Sequence, residues 1–475
     1  MSNPGRSATA AARPFGIRDK IGYLFGDFGN DFTFHLSTVF FLVFYTDIMG
    51  INAAHVGTLL LVARLLDAFT DVGMGRLIDV LRPTKNGRFR PWIGRMCVPV
   101  AVAGVMMFMP FVVDASYTVR VVYMTITYLL WGSVCYTSIN IPYGSMAAAI
   151  SDRPDHRASL SVFRALGGQL AFLFIASVLP PLVFVDNKID VTRMTIAALL
   201  CGVAAVICYV ICDVNVQERI VVVPNKEEKA SFGKMLATVG RNRALLTLVG
   251  AALCFIVATQ LTTATTSYLW KDWFREASYM SIAQIAASTP VLLFAGFATA
   301  VAMRWGKKEI SVIGMASAGV ISVVMWFLNI HSPIFFIALF FLMNIGIAVF
   351  NIVIWAILTD VLDYQEVMSG ERDDGTIYAI YSWSRKLGQA LAGFIAGQAV
   401  AAVGYSSEIA KAGGEQSAST LNGIYLLFLL VPGILFLVTA AILKFGYPLG
   451  RKQVQENYET LRARHAADPE VATAQ

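Results

Sequence analysis

The stretch Leu61–Val80, LVARLLDAFTDVGMGRLIDV, has the length and apolar content of a bilayer-crossing helix, yet Arg64, Asp67 and Asp71 stand in its middle. About twenty residues of α-helix span the ~30 Å hydrocarbon core. At about 100° per residue, Arg64 and Asp71 lie within about 20° of each other and Asp67 about 60° from Arg64, so all three share one face. A charge turned to lipid at that depth costs at least ~2.5–3.5 kcal/mol, and three together nearly forbid insertion. The face is therefore expected to look into a helical bundle or a water-filled cavity. A buried ion pair that fixes packing is one reading. Two acids against one base also leave an acid to pair elsewhere or to bind a cation.

The whole chain has this character. Of its 475 residues 57% are hydrophobic and only 14% charged, against about 25% charged in soluble proteins. Apolar runs recur throughout, which predicts an all-α membrane protein. Twelve transmembrane helices are expected, at about 21–46, 53–80, 92–114, 119–150, 158–185, 192–213, 243–270, 279–303, 309–330, 334–362, 376–403 and 420–446. The opening MSNPGRSATAAARPFGIRDK is polar and basic, without the apolar core of a secretory signal, so the first span is expected to stay as an anchor. The six cysteines all lie in apolar segments, with no metal-site spacing, and read as small packing residues.

Orientation follows the Lys/Arg bias of short loops. With the termini and even-numbered connections inside, the outer loops hold only Arg120, Lys188, Arg193, Lys271, Arg275 and Lys411. Both termini are thus expected in the cytoplasm of a multi-pass protein of the cell membrane. The net charge of +6 reflects this topology and not nucleic-acid binding. The charged connection 214–242, containing VVVPNKEEKASFGK, separates two six-helix halves, as in transporters built from two parallel repeats. The expected organisation is a cytoplasmic segment 1–20, bundles 21–213 and 243–446 around a central cavity, the linker 214–242, and a cytoplasmic tail 447–475. The basic glycine-containing loops after spans two and eight (Lys85–Arg88 and Arg304–Lys308) fit that symmetry.

Other spans also carry polar groups at depth. Span one has GDFGNDFTFHL, with Asp27 and Asp31 one turn apart and His35 a turn further. Span four has Asn140 in CYTSINIPYGSM, and span five Arg164 in SVFRALGG. Span eleven holds Arg385 and Lys386 in YSWSRKLGQALAG. A charge pair across two halves can hold a cavity shut, and a bound cation can replace the lysine, which is ion-coupled alternating access in electrostatic terms. Arg385 has a second reading as a lipid-headgroup or interhelical contact. His35 is weighed the same way, as a satisfied interior histidine or as part of the cavity network.

Taken together, GDFGNDF, YTDIMG, LVARLLDAFTDVGMGRLID, NGRFRPW, INIPYGSM, TDVLDYQEV and YSWSRKLGQALAG resemble the glycoside–pentoside–hexuronide:cation symporters. These are the melibiose and glucuronide permease group of the major facilitator superfamily, and the resemblance runs over about residues 18–446. It implies that superfamily's fold and import of a sugar or glycoside (galactoside, glucoside, pentoside or glucuronide) coupled to a cation. In its terms Asp67, Asp71, Thr70 and Thr137 form the cation-coupling set, with H+ preferred and Na+ at Asp67 and Asp71 the alternative. Asp31, Asn140, Arg164, Trp355, Lys386 and Arg385 form the substrate set, and Arg88, Arg90, Asp360 and Asp363 are cytoplasmic gating residues. Thr70 and Asn140 depart from the melibiose permease, which has asparagine and aspartate there. Gly144 and Asn351 stand where it has tryptophans, with Trp355 one turn beyond. NIPYGS and SRKLGQA lie closer to the glucuronide and β-glycoside branch.

No cofactor, resident metal or obligate protein partner is expected beyond a small-molecule sugar and the surrounding lipids. No catalytic motif or phosphate loop stands out, so an enzyme is not expected. A transport-deficient sugar sensor with the same fold would need an added signalling domain, and the short polar tail does not resemble one. A drug efflux pump would call for an apolar pocket with a single acid.

Overall fold

A backbone in hydrocarbon must satisfy its own hydrogen bonds, so long apolar runs close into helices. The computed structural model describes residues 13–81, 83–84, 87–151, 153–220, 242–294, 304–369 and 374–467. Each of the twelve predicted runs falls on a helix in the part of it that is described. These are α1 (Ile17–Val43), α2 (Ala53–Val80), α3 (Arg90–Met106), α4 (Tyr117–Leu129) continued by α5 (Thr137–Ile150), α6 (Pro154–Val183), α7 (Val191–Asn215), α8 (Arg243–Tyr268), α9 (Tyr279–Phe294), α10 (Lys307–Leu328), α11 (Pro333–Ser369), α12 (Asp374–Ala402) and, after the short α13 (Ser407–Lys411), α14 (Ala418–Ala441). Among the described residues eight helical stretches are long and apolar enough to cross a membrane. The other runs fall on α1 and α12, which carry the candidate-site charges, on the 17-residue α3, and on α9, described for 16 residues.

Some boundaries differ from expectation for physical reasons. The third run ends at Met106 and not 114, because Pro110 lacks an N–H and disfavours helix before it. The tenth continues to Ser369, past its apolar part, as DYQEVMS holds helical geometry. The tail, read as a polar segment, forms α15 (Arg451–Ala467), which packs on α11. The midpoint linker lies mostly outside the described residues, as do Lys85 of the basic loop after span two and residues 295–303 of span eight. Four π-helical turns, Phe44–Ile48, Leu130–Tyr136, Leu269–Trp273 and Ile442–Gly446, extend or join helices. A two-residue turn, Asp186 and Asn187, both left-handed, closes the hairpin of β1 (Phe184–Val185) and β2 (Lys188–Ile189).

The chain groups into two packed units. The first takes in described residues of Met1–Glu227 together with Thr266–Ser281 and Phe394–Leu421. Its centre is α1, packed along α6 and α7. Small residues allow that approach: a side chain on Gly29 would meet the Cβ of Cys208 at 2.8 Å. Five of the six cysteines are buried and all six are free thiols. The second unit takes in described residues of Glu228–Thr265, Ile282–Gly393 and Asn422–Gln475. Here α10 and α11 cross so closely that a Cβ on Gly346 would lie 2.2 Å from the carbonyl oxygen of Gly314.

Candidate cation and substrate sites

In the first unit α2 turns its apolar residues outward: Phe69 is 76% and Val72 58% exposed, whereas the Asp67 side chain is 15% exposed. Arg64 Nη1 stands 3.3 Å from Asp67 Oδ2 and its guanidinium lies over the Phe34 ring. Facing this side of α2 is the π-helical turn between α4 and α5. Ser133 Oγ of that turn donates to Asp67 Oδ1 at 2.6 Å, and Thr137 Oγ1 at the start of α5 donates to Asp71 Oδ1 at 2.9 Å. Both the acids and the hydroxyls are spaced i, i+4, so two hydroxyls meet two carboxylates rung by rung. Thr70, assigned to the same set, donates its hydroxyl to the Asp67 carbonyl at 3.2 Å.

A second polar cluster gathers around α1. Asn30 Nδ2 donates to Tyr136 Oη at 2.7 Å and lies 3.5 Å from both Asp31 Oδ1 and Asn140 Oδ1. Tyr209 donates to Asn30 Oδ1 at 3.1 Å. Arg164 donates its Nε to Asp27 Oδ1 at 3.0 Å and lays its guanidinium over the Tyr143 ring. Gly168 makes room for the acids, since a Cβ there would sit 2.6 Å from Asp31 Oδ2 and 3.2 Å from Asp27 Oδ2. His35 Nε2 is 3.5 Å from Asp31 Oδ2, while its buried Nδ1 has no partner among the described residues. Asp31, Asn140 and Arg164 thus share one neighbourhood, joined by Asn30, Tyr136 and Tyr209.

The gating assignments divide between the units. In the first, Arg88 donates through Nε and Nη2 to the Ile78 carbonyl, and Arg90 Nε lies 3.4 Å from Asp213 Oδ1. The anchor of this loop is Glu218, whose carboxylate accepts the backbone N–H groups of Arg88, Phe89 and Arg90 at 2.8, 2.8 and 2.7 Å. In the second, Asp360 accepts from Lys307 Nζ at 2.6 Å, an ion pair with the basic loop before α10, and Asp363 lies one turn on. Arg385 stands over the Trp355 ring at 5.3 Å, with Tyr381 edge-on to the same ring, and the Lys386 side chain is exposed.

Sequence reasoning counted Lys271 only as an outer-loop charge. Its side chain is 8% exposed and its ammonium bonds to Asp47, to Asp272 at 3.2 Å and to Tyr405 Oη at 3.0 Å. Thr46 and Tyr405 also donate to Asp47, and Thr46 pairs with Tyr268. The available signals were the single acid of YTDIMG, Asp47, and the Lys-Asp pair of LWKDW.

Residues 22–451 match the family model described as MFS/sugar transport protein. The chain belongs to this family. It is 33% identical to the uncharacterized symporter YjmB of Bacillus subtilis, covering 92% of this chain and 93% of that protein. It is 30% identical to the glucuronide carrier protein homolog of Escherichia coli (92% and 94%) and 30% identical to the putative sulfoquinovose importer of Escherichia coli (92% and 92%). Among solved structures it is similar to the nucleoside transporter NupG, with a TM-score of 0.61 at 12% identity, covering 90% of this chain and 99% of that one. This family member is a multi-pass membrane transporter of major facilitator type.

Proposed function

We propose that this transporter imports a sugar or glycoside together with a cation, preferentially a proton, by alternating access across the cell membrane, with both termini in the cytoplasm. The observation that carries the reading is the paired ladder Ser133–Asp67 and Thr137–Asp71, ionisable groups held at depth in apolar helices beside a second cluster of carboxylate, amide and guanidinium groups. Intramembrane acids of this kind mark ion pathways, and charged groups make strong hydrogen bonds to sugar hydroxyls. Asp67 and Asp71 are the coupling pair, with Ser133 and Thr137 as their hydroxyl partners. Asp31, Asn140 and Arg164 bind substrate. Trp355, Lys386 and Arg385 are assigned to substrate recognition from the sequence resemblance, and Arg88, Arg90, Asp360 and Asp363 to gating.

One observation favours sodium as the alternative ion: two carboxylates and two hydroxyls supply four hard oxygens in one place. A proton needs only a carboxylate, and the Thr70 hydroxyl is turned to the Asp67 carbonyl. The test is sugar-induced pH change in cells expressing the protein, screened across galactosides, glucosides, xylosides and glucuronides. External alkalinisation with one sugar is the expected result. Uptake driven by an imposed sodium gradient, insensitive to uncoupler, would replace the proton by sodium. No counterflow of any labelled sugar in proteoliposomes would overturn the transport reading.

A further inference from the structure

Among the described residues Arg164 is the guanidinium that meets Asp27 of α1, Arg64 being paired with Asp67, and it is held from two sides. Asp27 takes its Nε at 3.0 Å. The ring of Tyr143 lies beneath it at 5.2 Å, itself locked by stacking on Tyr23 at 4.6 Å and by a hydrogen bond from its hydroxyl to the Tyr23 carbonyl. Gly144 leaves space beside Nη1, where a Cβ would stand at 3.4 Å. With Nε engaged by Asp27 and the guanidinium also hydrogen-bonded to Tyr23, the Arg164 side chain is still 37% exposed while that of Asp27 is 11% exposed, so part of its planar fork remains open to a ligand. The charge count then decides what that ligand is. Two carboxylates, Asp27 and Asp31, converge on the backbone of Gly168 against this one guanidinium, with His35 touching only Asp31.

Resting on the reading of a sugar carrier, we infer that Asp27 is a positioning residue that aims Arg164 and cancels its charge, so that this cluster selects uncharged glycosides over their uronic acid counterparts. An arginine with a free charge would attract a sugar carboxylate. One already paired acts as an oriented donor to hydroxyls, and the remaining carboxylate, Asp31, accepts hydroxyl hydrogens and repels an acidic sugar. This assigns the chain a cargo chemistry different from the acidic sugars named for two of its relatives. It also gives a role to a residue outside the predicted substrate set.

The test uses the full-length protein in proteoliposomes and matched sugars differing only at C6: methyl β-glucoside against methyl β-glucuronide, and the galactoside against the galacturonide. Competition in counterflow, with no ion gradient, gives the affinity ratio within each pair. The wild type is expected to prefer the neutral sugar by tenfold or more. In Asp27→Asn the neutral sugar should weaken and the acidic one strengthen, moving the ratio at least tenfold, while Asp27→Glu should restore the wild-type ratio. A purely structural role would move both sugars in parallel and leave the ratio fixed, and that result overturns the inference. So does a wild type that prefers the acidic sugar. If Asp27→Asn does not insert, Asp31→Asn lowers the same negative charge without touching Arg164 and should shift the ratio the same way; an unchanged ratio there counts against the charge argument. If no sugar undergoes counterflow, the carrier reading itself falls and takes this inference with it; sugars bound with an unmoved ratio sink the inference alone.

Discussion

At the scale of residues, the hydroxyls facing Asp67 and Asp71 distinguish the two candidate ions. Each donates a hydrogen bond to a carboxylate oxygen. A hydrogen bond to a charged group contributes ~1.5–3 kcal/mol. Removing both, in Ser133→Ala/Thr137→Ala, should leave proton-driven uptake in place if the ion is a proton, since a proton needs only the carboxylates. It should raise the half-saturating sodium concentration roughly tenfold or more if the ion is sodium. The pH and sodium profiles of uptake separate these outcomes. The acids were legible because charge in an apolar helix has few benign explanations, whereas Thr137 came only from the family resemblance of its segment. Ser133 was not legible, because its position depends on a π-helical turn that no composition rule foretells. Lys271 was misread for a related reason: at a span's end a buried lysine and a topological one look alike in sequence. With Asp47, Asp272 and Tyr405 around it, Lys271→Met leaves two acids without their cation, and breaking a buried pair costs ~3–5 kcal/mol. A clear fall in thermal stability in detergent is expected, with Asp47→Asn/Lys271→Met recovering part of it. Equal stability of the single variant and the wild type would remove Lys271 from any such role.

At the scale of elements, hydropathy foretold the apolar helices that the described residues form, since an apolar stretch in lipid has one hydrogen-bonding solution. What it missed were features fixed by neighbours. The polar helix α15 buries Leu461 and Asn457 within the second unit, although its sequence reads as solvated. The start of α3 is similar. Helix N-termini leave N–H groups without intrahelical partners, and here a carboxylate more than a hundred residues away, Glu218, takes the N–H groups of Arg90, its cap Phe89 and the preceding Arg88. Gly87 lets it approach, because a Cβ there would lie 2.5 Å from the Glu218 carboxyl carbon and the residue has φ of 110°. Glu218→Ala should therefore free the first turn of α3. Hydrogen–deuterium exchange should accelerate at Arg88–Arg90, by roughly tenfold for each ~1.4 kcal/mol lost. The end of α2, bonded to Arg88 through Ile78, should loosen with it, while α10 and α11 should not change. Unaltered exchange at the α3 start would mean that other groups hold the loop.

At the scale of the whole molecule, the pattern that sets topology is the one least dependent on side-chain geometry. Basic residues crowd the termini and alternate connections, and the positive-inside rule converts that crowding into an orientation. Moving Lys271 from the loop count to a buried pair strengthens the asymmetry, since it takes one charge from the sparse outer side. The rule then places the β1–β2 hairpin outside and α15 inside. The cysteines make this easy to check, because five of the six native thiols are buried and the sixth is half-buried. Lys188→Cys in the hairpin and Tyr458→Cys in α15 both introduce thiols at exposed positions. In intact cells a membrane-impermeant maleimide should label the first within minutes and leave the second untouched until the membrane is permeabilised. Labelling of Tyr458→Cys from outside would invert the molecule. The basic loops after α2 and before α10, with Arg88 and the Lys307–Asp360 pair, would then face the exterior and could not act as cytoplasmic gates.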